Sequence, residues 1–246
     1  MNNALRRRIV EIITKAGEGH IPSAFSIVDI VAQVYAQMRA CDHFVLSKGH
    51  GCAALYAVLE ERGIISRADM DAYGSYGGIL GGHPDRTKVP GVEASTGSLG
   101  HGIATAAGMA LGYKIQGKPD RVICLVGDGE CHEGTVWETA LVAQARGLDN
   151  LCVIVDYNGS AAQILKHPDM YRQWESFGWK VWDQDGHNTA VGEAVYQFLT
   201  GIFHEPFAIV AETVKGKGVP MLEGHGAWHH RIPNAQEYAQ IMEALA

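Results

Sequence analysis

The sequence is poor in the features that mark metal ribbons, secreted scaffolds, polyanion binders and membrane proteins. Its five cysteines, Cys41, Cys52, Cys124, Cys131 and Cys152, form no Cys-x-x-Cys pair, so zinc is not indicated and reduced, mostly structural thiols are expected. Lysine and arginine together number 20 against 27 aspartates and glutamates, a formal net charge of −7. No sustained basic surface is expected from that balance, which disfavours nucleic acid and anionic membrane as partners. No apolar run reaches the length of a membrane span. The triplet Arg6-Arg7-Arg8 precedes only a short apolar set broken by Glu11 and Lys15, so it reads as part of an amphipathic helix and not as a signal peptide. A cytoplasmic protein is expected. Internal repeats, low-complexity tracts and linkers rich in Pro, Gly and Ser are also lacking.

What is present is enough apolar content, 47% of 246 residues, to bury one sizeable α/β core, with a single domain expected over residues 1–246. Helices are expected around Leu5 to Ala16, Ser26 to Arg39, Cys52 to Glu61 and Gly100 to Gln116, with a short strand at Phe44 to Leu46. Strands beginning near Val122, Leu151, Lys180 and Phe207 alternate with helices near Glu133, Asp169 and Ala190, and a last helix follows Pro233-Asn234. That alternation predicts a mostly parallel sheet covered by helices on both faces, with strands that lack polar alternation because both of their faces are buried.

The most informative stretch is Gly127-Asp128-Gly129-Glu130, which closes the apolar run from Val122 to Val126 and is answered about thirty residues later by Asn158, after a second apolar run from Leu151 to Val155. One crossover helix fits between the two strand ends. Asp128 and Asn158 are thereby delivered to one crevice, offering an anionic and a neutral hard oxygen to a magnesium-bound diphosphate, while the glycines let backbone approach phosphate closely. Taken alone, Asp and Asn at strand ends also cap helices and shape turns.

Gly-Asp-Gly followed at this distance by Asn resembles the metal motif of thiamine diphosphate enzymes. Three further stretches, Asp42 to Glu60 (DHFVLSKGHGCAALYAVLE), Ser95 to Gly112 (STGSLGHGIATAAGMALG) and Lys215 to Gly224 (KGKGVPMLEG) with Ala227-Trp228-His229 beyond it, are similar to the N-terminal part of transketolase, in the same order. The resemblance implies thiamine diphosphate and magnesium, with calcium or manganese as substitutes. It implies Asp128, Asn158 and the Ser160 carbonyl as metal ligands, and His50, Gly97, Ser98, Leu99, Asp128, Gly129 and Asn158 as cofactor contacts. His20, His83 and His229 are implied around the sugar hydroxyls and carbonyl, where imidazole donates, accepts and shuttles protons. Glu133 and Glu138, expected on the crossover helix, are implied in a dimer interface linking paired cofactors, whereas Glu130 and His132 shape the turn.

Transketolase needs a second α/β domain that activates and holds the aminopyrimidine, and this chain leaves no sequence for one. The expectation is the N-terminal subunit of a split transketolase: a core dimer within a heterotetramer, partnered by a C-terminal subunit with the pyrimidine-binding and C-terminal domains. Its implied reaction transfers a two-carbon ketol unit from a ketose phosphate to an aldose phosphate. Departures from the family pattern fall at Ile21 to Phe25, between Arg39 and Asp42, and in the loop from Asn158 to His167, which the resemblance places at the substrate mouth. A branched or otherwise atypical ketose phosphate is therefore in view. A thiamine-dependent 2-oxo acid decarboxylase or dehydrogenase subunit, and a noncatalytic diphosphate-binding module, stay open as alternatives.

Overall fold

A computed structural model describes residues 2–165, 169–224 and 226–246. Along the chain run α1 (Asn3–Ala16), α2 (Ile21–Gln37), β1 (His43–Leu46), α3 (Cys52–Glu61), α4 (Arg67–Asp71), α5 (His101–Ile115), β2 (Val122–Gly127), α6 (Gly134–Ala145), β3 (Leu151–Tyr157), α7 (Met170–Ser176), β4 (Lys180–Asp185), α8 (Ala190–Leu199), β5 (Phe207–Glu212) and α9 (Ala235–Ala244). The strands form a parallel sheet in the order β1-β2-β3-β5-β4. Side chains that alternate along each inner strand feed two cores. Phe44, Ile123, Ile154 and Ile209 pack under α1, α2, α3 and α8, while Val45, Cys124, Val153 and Ala208 pack under α5, α6 and α7. This is the doubly covered parallel sheet that the near-continuous apolar runs imply.

The exception is β4. It is an edge strand whose Lys180, Asp183 and Asp185 are exposed while Val181 is buried, so polar alternation does appear there, and its charges discourage pairing with another chain. A second correction concerns α2, which begins at Ile21, with Pro22 in its first turn, and not at Ser26. Ile21, Ala24 and Phe25 are fully buried in the core, so the segment Ile21 to Phe25 is the start of a core helix and not a loop, with Ser23 at the crevice. Residues 166–168 of the loop leading to His167 lie outside the described residues.

The basic triplet is consumed inside the molecule. Arg6, fully buried, forms a bidentate pair with Asp29 of α2 at 3.0 and 2.7 Å, Arg7 donates to the Met242 carbonyl, and Arg8 reaches Glu60 and Asp71. The Asp29 carboxyl, which burial alone would raise, is held well below its ordinary range by His187 and Arg6. All five thiols are free, and four of them are buried. No helix among the described residues is long and apolar enough to cross a membrane.

Helix α5 meets the end of β1 without a side chain between them. A Cβ on Gly102 would lie 2.6 Å from the Ser47 Cα, closer than real Cβ atoms come. Gly102→Ala is expected to overpack this contact and lower stability by about 1–3 kcal/mol, read as a lower urea midpoint with an unchanged slope.

Candidate functional site

The carboxyl ends of β1, β2, β3 and β5 open into one crevice of about 470 Å³. Asp128 follows β2 directly and accepts from the backbone N–H groups of Gly129 (2.8 Å) and Ala161 (3.3 Å). Asn158, just past β3, accepts from the Ser160 N–H at 3.0 Å through Oδ1 and donates from Nδ2 to Asp156 at 3.0 Å. The Ser160 carbonyl, in the same turn, accepts from the Gln163 N–H at 3.3 Å. Burial, then the neighbouring Asp156, pushes the Asp128 carboxyl above its ordinary value, a condition that a bound cation would relieve.

Two more carboxylates lie beneath this floor. Asp156, with no exposed surface, accepts from Lys48, from Ser26 (2.8 Å) and, on its other oxygen, from Thr213. Burial alone would raise it, but Lys48 and these donors keep it below the usual carboxylate range. Glu130, 2% exposed, accepts from Ser47 Oγ (2.5 Å), the Gly100 N–H (2.8 Å) and the Gly127 N–H (3.2 Å), and burial raises its carboxyl. Glu130 does shape the turn, as the sequence suggested, and it also joins three separate segments.

The rim is built of imidazoles. His20 immediately precedes α2, His50 sits in the turn Gly49–Gly51, and His229 in the turn Ala227–His230. The His20 ring lies 5.4 Å from that of His50, 5.3 Å from His229 and 4.6 Å from His230. Lys215, in the loop after β5, donates to His229 Nδ1 at 2.8 Å and to Ser160 Oγ at 3.2 Å. Burial first, then the neighbouring His230 and His229, lowers His20 to about 4. Burial followed by Lys48 lowers His50, and burial followed by Lys215 lowers His229. His83 is exposed and also lines the crevice, lying so close to Gly97 that a Cβ there would meet its Cδ2 at 2.9 Å; Gly97 also has φ +147°.

The crevice therefore brings together His20, His50, His83, Gly97, Leu99, Asp128, Gly129, Asn158, Ser160 and His229. Ser98 is exposed and does not line it. Glu133 and Glu138 are exposed away from it: Glu133 is the extended cap residue preceding α6 and not part of that helix, and Glu138 lines a groove between α5 and α6 with Ala104, Gly108 and Val142. Sequence reasoning missed Ser23, Lys48 and Lys215 as lining residues, and His230 as a neighbour of His20. Lys48 and Lys215 lie within SKGH and KGKG, so the signal was in stretches that already stand out. Ser23 lies in the segment Ile21 to Phe25, which departs from the family pattern; its Oγ is buried at the crevice without a hydrogen-bond partner.

These residues fit a divalent cation and a diphosphate. The ligands that converge are oxygens, and among the described residues no cluster of three His, Cys, Asp or Glu exists that would favour a softer metal. An unpartnered Ser23 hydroxyl and the Lys215 ammonium face the same space, and a Cβ on Gly129 would meet nothing within 4 Å, so its backbone is open to a ligand.

A parallel sheet with an aspartate and an asparagine at adjacent strand ends, beside one crevice, is the arrangement of α/β proteins that bind ligands outside the carboxyl ends of their strands. Residues 1–246 match the family described as transketolase, thiamine diphosphate binding domain, and the chain belongs to it. It is 35% identical over 256 residues to an apulose-4-phosphate transketolase subunit of Phocaeicola vulgatus, covering 98% of this chain and 91% of that protein. It is also 35% identical over 243 residues to the 6-deoxy-6-sulfo-D-fructose transketolase subunit SqwG of a Clostridium species, covering 93% of this chain and 88% of that protein. The crystal structure of Pichia stipitis transketolase in complex with sedoheptulose-7-phosphate superposes with a TM-score of 0.92 at 26% identity, covering 99% of this chain and 40% of the larger one.

The depressed His20 titration is measurable. In the unfolded chain this imidazole binds a proton near 6.5 and in the folded one only near 4, so the stability it contributes is full above pH 6.5 and is lost as pH falls through that window. The His20 ring resonances should titrate with a midpoint near 4 by NMR. His230→Ala should move that midpoint upward; a wild-type midpoint near 6.5 would contradict the burial and crowding that the geometry describes.

Proposed function

We propose that this chain is the cofactor-anchoring subunit of a two-component transketolase that moves a two-carbon ketol unit from a ketose phosphate to an aldose phosphate. The observation that carries the reading is the meeting of Asp128 and Asn158 at adjacent strand ends beneath a rim of His20, His50 and His229. Magnesium, replaceable by calcium or manganese, is held by Asp128, Asn158 and the Ser160 carbonyl. Gly129 backbone, His50, Ser23 and Lys215 receive the diphosphate, and the wall from Gly97 to Leu99 bounds the cofactor. Thiamine diphosphate, when bound, supplies the carbon nucleophile that makes ketose C2–C3 cleavage accessible. The chain's own groups do the rest: His20 and His229, kept neutral, accept or donate protons at sugar oxygens, and His83, beside Gly97, also reaches the sugar.

The activating half of the site belongs to a C-terminal partner subunit, consistent with relatives named as subunits whose lengths this chain nearly spans. Two copies of this chain form the core of a heterotetramer through the α5–α6 face, where Leu141 is 60% and Val142 50% exposed beside Glu138. Glu133 and Glu138 lie in that interface, where closely spaced carboxylates share protons. The assembly is cytoplasmic. Two relatives named for different sugars are both 35% identical to this chain, so overall identity does not select which ketose the assembly takes.

The chain alone is expected to show little ketol transfer and to gain it on mixing with its C-terminal partner, thiamine diphosphate and magnesium; full transfer by the isolated chain would overturn the reading. In the assembly, Asp128→Ala should abolish magnesium-dependent retention of thiamine diphosphate, because a charged oxygen in an octahedral shell has no ready substitute. Calorimetric titration with and without magnesium decides this, and unchanged affinity would remove Asp128 from the ligand set.

A further inference from the structure

The buried pair of Lys48 and Asp156 lies directly under the crevice, and no step of the proposed reaction uses it. Such a pair is seldom retained for stability, because desolvating both charges costs about as much as their attraction returns. Here the pair is 2% and 0% exposed, and four groups from four segments converge on Asp156. Lys48 comes from the end of β1, Ser26 from α2 and Thr213 from the end of β5. The fourth donor is the Asn158 amide, whose Nδ2 lies 3.0 Å from Asp156 Oδ2. Lys48 is itself pinned, donating also to the Ser23 carbonyl at 3.0 Å and to Ser26 Oγ at 3.1 Å.

An asparagine amide turned by half a rotation presents NH₂ where its oxygen had been, and NH₂ repels a cation. We propose that the Lys48–Asp156 pair is a positioning device for Asn158: by holding the amide NH₂ from below, it commits Oδ1 to the crevice and to the divalent cation there. Asn158 Oδ1 already faces that side, 3.0 Å from the Ser160 N–H. The lysine is as necessary as the aspartate, since Lys48, itself tied to the Ser23 carbonyl and Ser26 Oγ, fixes the position of the carboxylate that holds the amide. This rests on the reading of Asp128 and Asn158 as ligands of a cation shared with a diphosphate.

The test uses the full chain with thiamine diphosphate, titrated calorimetrically with magnesium and separately with calcium. The variant Lys48→Met/Asp156→Leu replaces the pair with apolar side chains of similar size and strands no charge. Loss of a group that orients a ligand typically weakens metal binding about 10- to 100-fold. Magnesium, which demands near-ideal octahedral geometry, should suffer that loss, whereas calcium, which accepts irregular shells, should lose less. The expected result is a lower ratio of magnesium to calcium affinity. An unchanged ratio, with both affinities intact or both equally weakened, would overturn the proposal. Wild-type chain and Asp128→Ala are run beside it: no magnesium dependence in wild type defeats the cation site itself and the proposal with it. A normal Asp128 response with an indifferent double variant defeats the positioning role alone. If the double variant fails to fold, the wild-type protein still decides. The Asn158 side-chain NH₂ should show slow solvent exchange by NMR, and rapid exchange would refute the anchoring bond.

Discussion

The site depends first on the burial of Glu130. Its carboxylate accepts from Ser47 at the end of β1, from Gly127 at the end of β2 and from the Gly100 N–H at the head of α5. Without it, buried donors from three segments would lose their partner, at about 1–3 kcal/mol each. The rest of that wall follows from the convergence. Gly100 takes a left-handed conformation, φ +81°, and a Cβ there would lie 2.9 Å from the Glu133 Cβ, so only glycine turns the chain into α5 this close to the loop before α6. With α5 drawn onto Ser47, the preceding Gly97 and Leu99 are laid along the crevice, and Gly97 packs against His83. A turn read as merely shaping a loop is thus the joint between two strand ends and one helix.

What was legible in the sequence is what local pattern encodes. Uninterrupted apolar runs gave the inner strands, and Pro233-Asn234 marked the start of α9, where Asn234 and Glu237 form a reciprocal cap. The distance from Asp128 to Asn158 gave the shared crevice, because one helix and one strand of ordinary length fill it. The start of α2 was misplaced because its apolar first turn follows a glycine-rich segment and carries a proline, features that read as loop until burial of Ile21 and Phe25 fixes them as core. β4 looked like the other strands, since edge position is a property of sheet order and not of the segment.

The residues that tie the site together could not be found by spacing. Ser47 and Glu130 are 83 positions apart, Lys48 and Asp156 108, and Ser26 and Asp156 130. The first two pairs exist because parallel strands bring their carboxyl ends to one edge, and the third because α2 packs over that edge, so contacts at the floor link residues that only the fold makes neighbours. Asp128 and Asn158 stand out because a motif marks them, whereas the groups that contact them and their neighbours are scattered along the chain.

Electrostatics divides the crevice into two levels. The lysines carry the positive charge below, and their nearness together with burial keeps the imidazoles above them neutral. A neutral imidazole has one donor and one acceptor nitrogen, so proton transfer at the rim depends on which is which. At His229 the choice is made by Lys215: an ammonium has donors only, so Nδ1, at 2.8 Å, must be the acceptor and the proton resides on Nε2. His229 is thereby fixed as a hydrogen-bond donor through Nε2, suited to an oxygen that gains negative charge. Among the described residues no comparable partner fixes the His20 tautomer; its ring lies against three other imidazoles instead. Lys215 therefore holds Ser160 in the crevice and also sets the polarity of His229 at its rim, so removing its charge would disturb both at once.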